Sequence, residues 1–153
     1  CRMIRKLTDR IAIDELLAYL GIAPFLICVL LAFGQLVSPS LALSVFNTYG
    51  LGIACFVAGS HWSYQWQFKT SQRLWFVGLN NLLVLLLLGS FWSVSALFQL
   101  GVLIVAFLVL LLFDRVLLSA GLIAGEYWQL RRYVTTAVIC LHGMMWLILR
   151  EGV

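Results

Sequence analysis

Charge is what this sequence has least of. Only 10% of its 153 residues are Asp, Glu, Lys or Arg, where a soluble domain carries about a quarter. That excludes an ordinary water-soluble globule, which would leave large apolar patches facing solvent. Alternation is missing too: runs such as Leu82 to Leu88 and Val102 to Phe113 are continuously apolar, which excludes a membrane barrel built from alternating strands of about 10 residues. The net charge of +4 forms no basic stripe with interleaved aromatics, so no nucleic-acid partner is expected. Cys28, Cys55 and Cys140 have neither zinc nor CxxC spacing and are expected to be small packing residues. Cys1 could suggest a lipidated, exported terminus, but four basic residues follow it within ten positions, which favours retention in the cytoplasm. A start at Cys1 rather than Met is what a piece of a longer product would show. There is no HExxH, no GxSxG, no phosphate-cradling glycine loop and no pair of carboxylates inside a span, so no catalytic residue and no metal site is expected.

What is present is hydrophobicity, 63% of the chain, arranged in stretches near the ~20 helical residues that a bilayer core requires. The expected architecture is an all-α, polytopic bundle of five transmembrane helices in a single domain, with spans near 15–36, 41–66, 74–92, 94–113 and 130–149. Pro24 falls in the first half of the first span, where it can kink the helix and free a carbonyl for a neighbour. The fourth span is expected to stop at Asp114 and Arg115, and residues 116–129 read as an interfacial or re-entrant segment, too short to cross.

Orientation follows from the Lys and Arg tally, since these residues are retained on the cytoplasmic side. Arg2, Arg5, Lys6 and Arg10 precede the first span; Lys69 and Arg73 lie in the second loop; Arg115, Arg131 and Arg132 lie in the fourth. Only Arg150 falls on the far side, so the N-terminus is expected in the cytoplasm and the C-terminus opposite. Trp66, Trp75, Trp92 and Trp128 near span ends fit the interfacial aromatic belt.

No charged group is expected deep in a span: Asp9, Asp14, Glu15, Asp114, Glu126 and Glu151 all read as ends or loops, which argues against a proton relay or pump. Polar groups enter mainly the cytoplasmic half: Tyr19, Ser60, His61, Tyr64, Asn80 and Asn81. With Trp62, Arg73 and Arg131 they are candidates to line a pocket, or else to tie helices together by hydrogen bonds of about 1 kcal/mol or less. Gly52, Cys55, Gly59 and Ser63 recur at three- and four-residue spacing and are expected to pack a close helix neighbour. Two histidines invite bis-imidazole haem. His61 and His142 differ by ~10 Å in expected depth, which argues against a shared iron.

LAYLGIAPF (Leu17 to Phe25) followed by YGLGIACFVAGSHW (Tyr49 to Trp62) resembles a family of small membrane proteins of unknown function that includes transmembrane protein 69 of mitochondria and many bacterial relatives. Gly21, Pro24, Tyr49, Gly50, Phe56, Gly59, His61, Trp62 and the Asp114, Arg115 pair carry the likeness, with Ser63 where relatives often have glycine. The resemblance implies a location, the bacterial inner membrane or its mitochondrial descendant, and no activity. Small size and thin loops then lead to the expectation of a non-catalytic subunit, or an assembly or stabilising factor, of a larger inner-membrane complex such as a respiratory one, with other integral membrane subunits and lipids as partners. The alternative is a quinone- or phospholipid-binding protein with a pocket in the cytoplasmic leaflet near His61, Asn80 and Asn81. No resident cofactor is expected.

Overall fold

A computed structural model of the chain describes residues 16–93 and 95–151, with the side chains of 70, 71, 93 and 151 excepted. Cys1, Arg2, Arg5, Lys6, Asp9, Arg10, Asp14 and Glu15, on which part of the orientation argument rests, lie outside the described residues, as does Val94 at the expected start of the fourth span. A helical stretch at 16–20 leads through a turn at Gly21 and Ile22 into α1 (Ala23–Phe33). Then come α2 (Pro39–His61), a 3-10 turn (Trp62–Gln67), α3 (Thr70–Ser93), α4 (Ala96–Ser119) and α5 (Gly125–Glu151). Among the described residues, five helical stretches are long and apolar enough to cross a membrane.

Local chemistry sets the boundaries. Ser38 caps α2 by accepting from the Leu41 amide and Pro39 follows it, while Ser95 caps α4 by accepting from the Phe98 amide. Pro24 sits at the start of α1 rather than in mid-helix. The carbonyl of Gly21, in the turn just before it, accepts the Tyr49 hydroxyl of α2 at 3.0 Å, so a neighbouring helix does take up backbone at this break. At the far end of α1 the Leu36 amide reaches back to the Leu31 carbonyl, with Gln35 in the left-handed region at φ 54°. The same closure ends α4, where Leu122 bonds back to Leu117 and Gly121 takes φ 69°.

That last turn corrects the sequence reading. The charges at Asp114 and Arg115 do not stop the fourth helix, which runs on to Ser119; α5 begins at Gly125, and no re-entrant segment occupies 116–129. Charge does not break helical hydrogen bonding, whereas a left-handed glycine does.

Side-chain contacts give the topology. Phe25 meets Phe46 and Tyr49, Asn80 meets Ala58, and Asp114 meets Arg131, so sequential helices run antiparallel. Asn47, early in α2, donates to the carbonyl of Ala96 at the start of α4, while His61 at the end of α2 meets Asp114 late in α4. Helices α2 and α4 are therefore parallel neighbours. Of the described Lys and Arg, Lys69, Arg73, Arg115, Arg131 and Arg132 fall at one end of the bundle and Arg150 at the other. The centre is aromatic: the His142 ring is enclosed by Phe25, Phe46 and Phe107 at centroid distances of 5.4, 4.6 and 5.6 Å. Helix α3 stands outside this centre. Its buried described side chains are Phe76, Asn80, Leu87 and Ser90, a narrow stripe, and Leu79, Leu82, Leu85 and Leu86 face outward as lipid solvation allows.

Candidate functional site

Three ionisable side chains meet inside the bundle. His61 closes α2, Asp114 lies five residues before the end of α4, and Arg131 lies in the second turn of α5. The Asp114 carboxylate accepts from His61 Nε2 at 2.9 Å through one oxygen and from Arg131 Nε at 2.9 Å through the other. The histidine and aspartate side chains are 1% exposed and the arginine 13%, so this is a buried ion pair with a buried imidazole on it. Such groups inside a span are costly unless paired and commonly mark a functional site. Phe76 and Phe113 stack edge-on against His61 at 6.0 and 5.9 Å and seal it on the α3 side.

The pairing is incomplete in an informative way. Nδ1 of His61 and Nη2 of Arg131 are both buried without a hydrogen-bond partner. Tyr127 lies within electrostatic reach of Asp114, Arg131 and Tyr64, which adds two phenols to the cluster. Beside it opens a cleft of about 380 Å³ between the 16–21 segment, the start of α1, α2 and α5. Its walls are almost wholly apolar, Phe25, Phe56, Val57, Leu130 and Val134 among them, with Ser60, Tyr127 and Arg131 as the polar points.

The sequence-derived candidates are distributed around this arrangement. His61 and Arg131 come together at Asp114, while Tyr64 lies within electrostatic reach of Tyr127. Asn80 is buried one turn deeper and donates to the Ala58 carbonyl at 2.7 Å, tying α3 to α2. Asn81, Tyr19 and Trp62 face outward, and Arg73 lies over the Trp66 ring at 3.8 Å. Neither Asn80 nor Asn81 lines the cleft, which opens on the α1 and α5 side of α2 rather than towards α3. His142 belongs to a separate cluster: it donates through Nδ1 to the Val138 carbonyl at 2.7 Å and touches Phe107, seven residues from Asp114 and so ~10 Å away along α4. The two imidazoles face no common space.

Two expectations need correcting. Asp114 is not a loop residue but the most buried member of the site; the signal for it was the apolar run Val116, Leu117, Leu118 continuing beyond the charged pair. The stripe of Gly52, Cys55, Gly59 and Ser63 packs no neighbour closely: Gly52, Gly59 and Ser63 are exposed, Cys55 is partly buried, and a Cβ at either glycine would meet nothing within 4 Å. The closely packed glycine is Gly50, where a Cβ would lie 3.0 Å from Leu103 and 3.6 Å from His142 Nε2.

Among known proteins, no curated protein and no solved structure matches this chain. A family model does, over residues 12–147, which takes in the cleft, the ion pair and the five long helices except the last residues of α5. The chain thus belongs to the DUF3429 family of proteins of unknown function.

Proposed function

We propose that this protein binds an amphipathic, membrane-soluble molecule in the cleft, with the apolar tail along α2 and α5 and a hydrogen-bond-accepting headgroup at Arg131. The observation that carries the reading is the buried, partnerless Nη2 of a cleft-lining arginine whose position Asp114 holds. Quinones and phospholipids both fit that description, and the volume lies in the range of small-molecule sites. Solvent extraction of protein purified in mild detergent, followed by mass spectrometry, is expected to release one such species in near-stoichiometric amount. Protein that carries only the bulk lipid composition would refute the proposal.

A second reading is a subunit, or an assembly or stabilising factor, of a larger inner-membrane complex such as a respiratory one. It is supported by the outward small-residue face of α2, where Ser44, Thr48, Gly52 and Gly59 are all exposed, since small residues let helices approach closely in lipid. On this reading the protein sits in a bacterial inner membrane or its mitochondrial counterpart, N-terminus in the cytoplasm, a location supported by its resemblance to the family that includes transmembrane protein 69 of mitochondria and by the Lys and Arg at one end of the bundle. Native mass spectrometry from mild detergent should then show a stoichiometric partner; a clean monomer would count against it.

A further inference from the structure

The geometry points to a neutral, planar carbonyl compound of the quinone class as the occupant of the cleft, in preference to a phospholipid headgroup. This rests on the ligand-binding reading above and adds the chemical class to it.

The first ground is charge. Arg131 is the one charged residue in the cleft lining among the described residues, and its charge is already balanced by Asp114 at 2.9 Å. The site therefore offers an arginine whose charge a carboxylate already balances. A phosphodiester would bring an uncompensated anion next to a buried carboxylate, the arrangement that burial penalises most. A quinone oxygen needs only the donor.

Shape is the second ground. Phe56 and Tyr127 supply aromatic walls on different helices of the same cleft, with the buried Phe25 behind them, and the remaining lining apart from Ser60 and Arg131 is aliphatic. Planar rings pack well against such walls, and the volume of about 380 Å³ suits one ring and the start of a tail rather than a glycerophosphate group with two chains. Ser60, whose hydroxyl donates to the Val57 carbonyl at 2.7 Å, has its donor occupied and adds no second anchor for an anion.

The test is titration of decylubiquinone into the full chain in phosphatidylcholine nanodiscs, read by quenching of tryptophan fluorescence, with retained phosphatidylglycerol measured in parallel by extraction. Wild type is expected to saturate. Arg131→Gln removes the donor and should weaken binding tenfold or more, the size of one lost hydrogen bond from a charged group. Val134→Phe fills the cleft without touching the ion pair, should abolish saturable quenching, and keeps the test meaningful if Arg131→Gln fails to fold. Non-saturable quenching that is the same in all three, with phosphatidylglycerol bound in a Val134-dependent way, would overturn the quinone assignment and leave the ligand-binding reading standing. Absence of any ligand sensitive to Val134→Phe would overturn both.

Discussion

Asp114 is the residue on which the interior depends most. It serves two buried donors from two helices, so Asp114→Ala leaves an imidazole N–H and a guanidinium without their acceptor. Removing one partner of a buried pair costs about 3–5 kcal/mol, and a large drop in thermal stability in detergent is expected for Asp114→Ala. Asp114→Asn, which keeps one acceptor oxygen, should lose less. A smaller gain is available at Gln35, whose φ of 54° suits glycine. Gln35→Gly is expected to raise stability by about 1 kcal/mol in the same measurement, the order of the left-handed penalty for a residue with a Cβ. At this scale the sequence was half legible. His61 and Arg131 could be named because polar groups stand out against an apolar background. Their common partner was missed because a charged residue beside Arg115 resembles a helix end. Asn80 and Asn81 could not be separated from composition either: neighbours on a helix point about 100° apart, and only the packing of α3 shows which one turns inward.

Helix α2 carries two kinds of glycine that periodicity alone does not distinguish. Gly50 faces Leu103, Phe25 and His142, all at 0% exposure, so nothing there can yield easily. Gly50→Ala gains helix propensity of about 1 kcal/mol against a comparable packing penalty and should be nearly neutral, whereas Gly50→Val is expected to cost about 1–3 kcal/mol. Gly52→Leu and Gly59→Leu are made at positions where a Cβ would meet nothing within 4 Å. They should leave the melting temperature of the isolated protein unchanged, and should abolish recovery of a partner if one packs on this face. The spacing of the small residues was read correctly from the sequence. What the face touches was not, because a repeat of three and four defines a direction on a helix but not its neighbour. Pro39 with Ser38, and Gly121 beyond α4, were the legible boundary signals; the glycine was outweighed by the more conspicuous charged pair.

For the molecule as a whole, hydropathy alone predicted five crossing helices, because continuous apolar length is a direct consequence of what lipid demands of a backbone. The gathering of Lys69, Arg73, Arg115, Arg131 and Arg132 at one end of the bundle yields a prediction about sidedness. Single cysteines introduced at Gln67 and Ser119 in a cysteine-free background should react with an impermeant thiol reagent only when the cytoplasmic face is open, and one at Gln35 only from the opposite face. Labelling of Gln35 and Ser119 from the same side would overturn the arrangement. The bond between Asp114 and Arg131 also bears on biosynthesis. The two residues are 17 positions apart and joined by a turn at 120–124, so their charges cancel within one hairpin. A nascent chain released only as far as that turn would carry the carboxylate into lipid with His61 alone to meet it, and α4 is accordingly expected to settle only once α5 has emerged from the ribosome and can insert with it.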